Sequence, residues 1–109
     1  MSKKFIVFVD EEFTKEERNA ITTHFKNRYA YWHWIGNVWL LTTSREDDTT
    51  NSIRNEMMSL VNRGSIVVLD VSQSSGWSAF GSKKKFEWLH NNWSKKPESF
   101  PELDDSPQF

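Results

Sequence analysis

The feature that most constrains the fold is a pair of strand-like runs separated by two turn residues. The runs YAYWHWI and NVWLLTT are rich in aromatic and β-branched side chains, and Gly36 and Asn37 lie where they meet. This pattern is typical of a β-hairpin with a tight turn. Any fold of this chain is therefore expected to contain an antiparallel strand pair here.

Strand and helix patterns precede the hairpin. KKFIVFVD, residues 3–10, is a short β-branched and aromatic run that ends in an acid, which predicts a strand. In the following segment, Thr14 and Glu17 have the three-residue spacing of a capping box. A helix is predicted over about residues 14–28.

A second helix and strand are predicted after the hairpin. NSIRNEMMSLVNRG places Ile53, Met57, Leu60 and Val61 on one helical stripe. Gly64 stands where the glycine that follows a helix C-terminus is expected. SIVVLDVS, residues 65–72, predicts another strand.

The resulting order, βαββαβ, predicts an α+β protein of the ferredoxin-like plan: a four-stranded antiparallel sheet with two helices on one face. Phe86, Leu89 and Trp93 fall at helical spacing and add a short C-terminal helix. The domain is predicted to span residues 1–94. Residues 95–109, which contain all three prolines, are predicted to form a loose acidic tail.

The predicted strands are apolar on both faces. Phe5, Val7 and Val9 alternate with Ile6 and Phe8, and in the last strand Val67, Leu69 and Val71 alternate with Ile66 and Val68. A bare apolar face is a liability for a monomer. A second protomer, the C-terminal aromatic segment, or both are expected to cover it.

The aromatic stretch YWHWIGNVWL admits three interpretations: a platform for stacking bases, a site around His33, or an aromatic core. The third strand lacks the basic-Gly-aromatic pattern of RNA-recognition domains. Because tryptophan buries a large area, a core or dimer interface is favoured for six aromatic residues: Phe5, Phe8, Trp32, Trp34, Trp39 and Trp88. His33 is interpreted as a half-buried histidine bonded to a backbone or carboxylate group, with a general base as the alternative.

Composition excludes several classes of function. The net charge is −1, so no strong basic field indicates nucleic acid or membrane binding. Cysteine is absent, which excludes disulfides, thiolate metal sites and a cysteine nucleophile. The apolar run FIVFV is too short for a signal peptide or a membrane span. A cytoplasmic protein is expected.

Asp10, at the end of the first strand, is the candidate for metal chemistry. Glu11 and Glu12 follow it, and the hairpin is expected at the same end of the sheet. Carboxylate oxygens suit Mg²⁺, and two Asp10 side chains across a dimer could hold the ion and activate water. The alternative is that Asp10 only ends the strand and helps to start the helix.

The runs FIVFVDEE, YAYWHWIGNVWLLTTS, SIRNEMMSLVNRGSIVVLDVS and GWSAFGSKKKFEWLHNNW together resemble the SinR-like family, relatives of the CRISPR-associated endonuclease Cas-two. The resemblance covers about residues 4–93. It implies a ferredoxin-like homodimer whose sheets face each other. It also implies that Asp10 occupies the place of the metal-binding acid of the Cas-two relatives, although Val9 stands where relatives often have an aromatic residue.

The sequence therefore favours a homodimeric module that binds a protein or nucleic acid. The candidate binding residues are His33, Trp77, Lys83, Lys84 and Lys85. The alternative is a magnesium-dependent, toxin-like endonuclease with Asp10 as its metal ligand and catalytic residue. A phage-type inhibitor is a third possibility.

Overall fold

The computed structural model describes residues 2–73 and 76–93. Its elements are β1 (Lys3–Val9), α1 (Lys15–Lys26), β2 (Ala30–Ile35), β3 (Val38–Thr43), α2 (Thr50–Leu60), β4 (Ile66–Asp70) and α3 (Lys83–Trp88). The chain divides between Ser72 and Gln73 into two compact units. The sheet and the first two helices belong to the first unit, and α3 belongs to the second.

The four strands form one sheet in the order β2-β3-β1-β4, and every neighbouring pair is antiparallel. Strands β1 and β3 are therefore central, while β2 and β4 form the edges. The α+β class and the antiparallel sheet are confirmed, as is the hairpin at Gly36 and Asn37. The arrangement is consistent with the ferredoxin-like plan.

One face of the sheet supplies the core. Phe5 lies opposite Leu41 and Val7 opposite Trp39 across the β1–β3 pair, and all four are fully buried. The core cluster joins them to buried residues of both helices, namely Ile21, Phe25, Ile53 and Met57. The alternation predicted for β1 is confirmed, because Phe5, Val7 and Val9 are buried whereas Phe8 is exposed.

The helix ends agree with the sequence at α1 and differ at α2. The Thr14–Glu17 capping box is present, with both reciprocal hydrogen bonds formed. Helix α2 ends at Leu60, and the residue that follows, Val61, is already extended. The stripe prediction is wrong for Leu60, which is 38% exposed, because Val61 turns inward and is only 4% exposed.

Gly64 does not follow the helix directly, so its predicted place was wrong. It lies in the turn between α2 and β4, with φ of +72°. A Cβ atom at this position would come within 2.6 Å of the Phe13 ring. The glycine is therefore required both by the left-handed backbone and by the close approach of Phe13.

Strand β2 contains a bulge that the sequence did not predict. Trp32 lies opposite Leu40 and Ile35 opposite Val38, so two residues of β2, His33 and Trp34, oppose Trp39 alone. An extra residue of this kind interrupts strict alternation. Ile35 therefore takes the place opposite Val38 that strict alternation would give to Trp34.

In the second unit, the predicted short helix is confirmed. Phe86, Leu89 and Trp93 are all buried, and the chain continues from α3 into a π-helical segment, Leu89–Trp93. The predicted tail, residues 95–109, lies outside the described residues. Within residues 2–73 and 76–93, no helix has the length and apolar character needed to cross a membrane.

Candidate functional site

The side chain and the backbone of Asp10 both form hydrogen bonds with nearby residues. Its Oδ1 accepts a hydrogen bond from the Glu12 amide at 3.0 Å, and its carbonyl accepts one from the Phe13 amide at 3.1 Å. Its own amide donates to the Ser65 carbonyl at 2.9 Å, next to the start of β4. A carboxylate that bonds the backbone two residues ahead is a recurrent device for stabilising a turn.

The hairpin reaches the same end of the sheet, as expected. The amide of Val9 donates to the carbonyl of Asn37 at 3.0 Å. The predicted meeting of the β1 end and the hairpin is therefore confirmed, and the start of β4 lies there as well. A role for Asp10 in metal binding or catalysis stays a prediction.

A cation lies close to the acids at this end. Arg63 makes a two-pronged contact with Glu17, with Nε 2.7 Å from Oε2 and Nη2 2.5 Å from Oε1, and it also donates to the Glu12 carbonyl at 3.2 Å. The hydrogen bond that Arg63 donates to Glu17 raises the pKa of Arg63, and the charges of Asp10 and Glu12 act in the same direction. Among residues 2–73 and 76–93, no three His, Cys, Asp or Glu side chains are grouped to hold a metal.

His33 has the half-buried position that the sequence favoured. Its Nδ1 lies 2.9 Å from the Val38 carbonyl and so carries the proton that it donates. Its ring stacks on Trp39 with centroids 4.1 Å apart and planes 4° from parallel. Burial lowers the pKa of His33, the Val38 hydrogen bond partly opposes this, and the charge of Arg18 adds to the lowering. The ring is therefore neutral near pH 7, and no described contact points to a general base.

The tryptophans of the aromatic stretch have different environments. Trp39 is fully buried and its Nε1 donates to Thr22 Oγ1 at 3.0 Å, which confirms its predicted core position. Trp32 is 5% exposed and Trp34 is 50% exposed. Trp34 is thus not a core residue, and a role in an interface stays a prediction for it.

Two of the candidates in the second unit, Trp77 and Trp88, each lie beside another aromatic ring. Trp77 meets the His90 ring edge-on, with centroids 5.3 Å apart, and Trp88 lies 6.4 Å from the Trp93 ring. Trp77 and Trp88 are both half-buried. The predicted lysines at 83–85 occupy the first turn of α3. Their predicted role in binding, and that of Trp77, is not decided by these contacts.

The sheet face away from the core carries a continuous set of apolar side chains, here named the apolar sheet face. Paired positions across the strands place its members next to one another: Ile6, Phe8, Ile35, Val38, Leu40, Val67 and Leu69. Trp32 lies on the same side of the sheet, opposite Leu40, but it is buried and is not counted in this patch. Four of the seven members are exposed: Ile35 by 55%, Val67 by 50%, Leu69 by 44% and Phe8 by 38%. None of the seven carries a charge or a polar group.

A buried carboxylate that the sequence analysis did not identify organises the opposite end of the sheet. Asp48, 1% exposed, accepts hydrogen bonds at Oδ2 from Thr43 Oγ1 at 2.7 Å and from Arg45 Nε at 3.0 Å. Arg28 Nη2 lies 3.5 Å from Oδ1, and Lys3 donates to the Asp48 carbonyl at 2.8 Å.

Glu56 of α2 joins the polar contacts around Asp48 through Arg28. Its carboxylate contacts His24 at 2.8 Å, the Tyr29 hydroxyl at 2.8 Å and Arg28 Nε at 3.3 Å. Burial raises the pKa of Tyr29, so its hydroxyl remains a donor to Glu56. The only sequence signal for this arrangement was the mixture of charges in SREDDTT, which is equally typical of an exposed loop.

Comparison of the chain with protein-family models, curated proteins and solved structures finds no significant match. The resemblance to the SinR-like family therefore stays a prediction from the sequence.

Proposed function

We propose that the protein is a homodimeric binding module of ferredoxin-like fold, in which the apolar sheet faces of two copies pack against each other. The observation that carries the proposal is the exposure of Phe8, Ile35, Val67 and Leu69 on one continuous face. Exposed apolar patches of this kind mark interaction sites in soluble proteins.

The chemistry of the face favours a second copy of the same chain as its occupant. A two-fold interface brings the same patch of both subunits together, so any charge on it meets a like charge near the axis. The seven residues of the apolar sheet face are uncharged, so these side chains can pack against their copies without that repulsion, and Lys4, two residues before Ile6 on the same side of β1, lies at the margin of the patch. The resemblance to the SinR-like family implies the same face-to-face arrangement.

The described geometry supports a binding role because the two residues that suggested catalysis are otherwise engaged. Asp10 Oδ1 accepts the Glu12 amide in a turn, and His33 donates to the Val38 carbonyl and stacks on Trp39.

The test is a matched pair of substitutions. Leu69→Glu places a charge on the apolar sheet face, whereas Met58→Glu places the same charge at a similarly exposed site on α2, since the two residues are 44% and 47% exposed. We expect Leu69→Glu to give monomers in sedimentation velocity and Met58→Glu to remain dimeric, both with the circular dichroism of the parent. Dimers that survive Leu69→Glu, or are lost equally in both variants, would refute the proposed interface.

A further inference from the structure

A pocket of about 360 Å³ opens at the end of the sheet where β1 begins and β3 ends. Its polar lining consists of two arginines and several hydroxyl groups, from Arg28, Tyr29, Thr42, Thr43, Ser44 and Arg45, together with Ser2. Among the residues that the structure describes, no carboxylate lines it. The volume lies within the range of small-molecule sites. A lining of cations and hydroxyl donors is suited to an anion.

Asp48 and the Tyr29 ring fix the positions of the two guanidinium groups. Arg45 binds Oδ2 of Asp48 through Nε and Nη2, at 3.0 and 2.9 Å, and Arg28 approaches Oδ1 of the same carboxylate at 3.5 Å. Both guanidinium carbons lie over the Tyr29 ring, at 5.8 Å for Arg28 and 5.2 Å for Arg45. A binding group fixed in advance loses less conformational freedom when a ligand arrives.

The carboxylate behind the arginines is itself incompletely satisfied. Asp48 Oδ1 is buried and accepts no hydrogen bond from the residues described. Arg28 and Arg45 share the single negative charge of Asp48. Arg28 Nη2 lies 3.5 Å from Oδ1 and does not form a hydrogen bond with it. Arg28 is further balanced by Glu56, but that carboxylate also receives His24 and Tyr29.

Several N–H and O–H groups of the residues that line the pocket form no hydrogen bond with the described residues. Arginine has five N–H donors, and within residues 2–73 and 76–93 no hydrogen bond engages Nη1 of Arg28 or of Arg45, nor the hydroxyls of Thr42 and Ser44. The side chains of Arg28 and Arg45 are 40% and 43% exposed, so solvent reaches both.

We propose that this pocket binds a phosphate group, with Arg28 and Arg45 as the paired ligands and the hydroxyls of Thr42 and Ser44 as additional donors. Planar guanidinium groups match the oxygens of phosphate in two-pronged hydrogen bonds. Because the two arginines cover the Tyr29 ring, a base cannot stack on it. The pocket therefore recognises the phosphate and not a base. The inference does not depend on the proposed dimer, because the pocket residues are distinct from those of the apolar sheet face.

The full-length protein is titrated at low ionic strength with four compounds: inorganic phosphate, a nucleoside 5′-monophosphate, and short single-stranded RNA and DNA. Binding is followed by calorimetry and by amide NMR shifts. We expect saturable binding of at least one phosphate compound, with the largest shifts at residues 42–45. Binding of inorganic phosphate or the monophosphate alone assigns the site to small phosphate esters. Binding of the strands alone assigns it to a nucleic-acid backbone.

Three variants test the residues. Arg28→Gln removes one ligand, and Arg54→Gln removes the same charge from an exposed arginine on α2 that does not line the pocket. Ser44→Glu places a carboxylate at the exposed rim and leaves the contacts of Asp48 intact, so it remains informative if Arg28→Gln folds poorly. We expect Arg28→Gln and Ser44→Glu each to weaken binding about tenfold or more, and Arg54→Gln to change it by less than about twofold.

The absence of binding by all four compounds to the parent protein would overturn the proposal. An equal loss in Arg54→Gln and Arg28→Gln would do the same, because it would reflect net charge and not the pocket. Binding that Ser44→Glu leaves unchanged would place the phosphate elsewhere.

Discussion

At the residue scale, the aromatic stretch separates into one core residue and one surface residue that the sequence could not distinguish. Trp39 is fully buried and bonded through its indole to Thr22, whereas Trp34 is half exposed. Trp39 lies on the core face of the central strand β3, opposite Val7, whereas Trp34 lies in the bulge of the edge strand β2. A single extra residue in one strand leaves no signature in the hydrophobic pattern.

This difference predicts unequal costs of truncation. Trp39→Ala should lower the free energy of unfolding by about 3–5 kcal/mol, because it removes a fully buried ring from a packed core. Trp34→Ala should lower it by about 1 kcal/mol or less, because much of its ring already contacts solvent. Urea midpoints of the two variants measure the contrast, and equal shifts would contradict the core position of Trp39.

The two glycines of the connecting turns also make a matched pair. Gly64→Ala forces a side chain into a left-handed backbone and toward the Phe13 ring at 2.6 Å, so it should cost at least about 1–2 kcal/mol. Gly36→Ala meets no atom within 4 Å and should leave the thermal midpoint nearly unchanged. A more harmful effect at Gly36 than at Gly64 would contradict this description of the turns.

Asp10 can be tested in the same way. Asp10→Asn retains an oxygen that accepts the Glu12 amide, so fold and oligomeric state should be preserved, whereas Asp10→Ala removes that acceptor and should be less stable. Labelled RNA and DNA incubated with Mg²⁺ or Mn²⁺ test the endonuclease alternative alongside. Cleavage by the parent protein that disappears in Asp10→Asn would favour the metal-dependent endonuclease over the binding module.

At the element scale, the contact between Arg63 and Glu17 ties the start of α1 to the connection between α2 and β4. The hydrogen bond from Arg63 is the largest of the contributions that lower the pKa of Glu17 from 4.5 to about 2. A carboxyl whose pKa is depressed on folding stabilises the native state above its unfolded value. That stabilisation is lost as the pH falls from about 4.5 toward 2.

The prediction is a difference in acid sensitivity. Arg63→Gln removes the partner of Glu17, so its urea midpoint should depend less on pH between 4.5 and 2 than that of the parent protein. Arg54→Gln removes the same charge from α2 without touching Glu17 and should keep the parent slope. Identical slopes in Arg63→Gln and the parent would show that this contact does not link the elements in solution.

Local sequence signals predicted the elements well and their ends less well. The capping box at Thr14 and the hairpin at Gly36 were readable because each depends on residues a few positions apart. The exit from α2 was not, because Val61 and Gly64 are placed by packing against distant residues such as Phe13.

At the scale of the whole molecule, the candidate site was only partly accessible from sequence. The apolar sheet face followed from two-sided strands, since alternation assigns the faces of β1 and β4 directly. The pocket lined by Arg28 and Arg45 could not be predicted from the sequence. The two arginines are brought together by a carboxylate, Asp48, whose burial has no sequence signature. Long-range polar clusters of this kind depend on the completed fold.

The proposed dimer forms by association of two chains through the apolar sheet face. Light scattering over a range of micromolar concentrations measures the mass of the full-length protein in solution and so tests this association. We expect a species of twice the 12.9 kDa chain mass, which dissociates on dilution into a smaller one. A folded species that stays at 12.9 kDa throughout would contradict it.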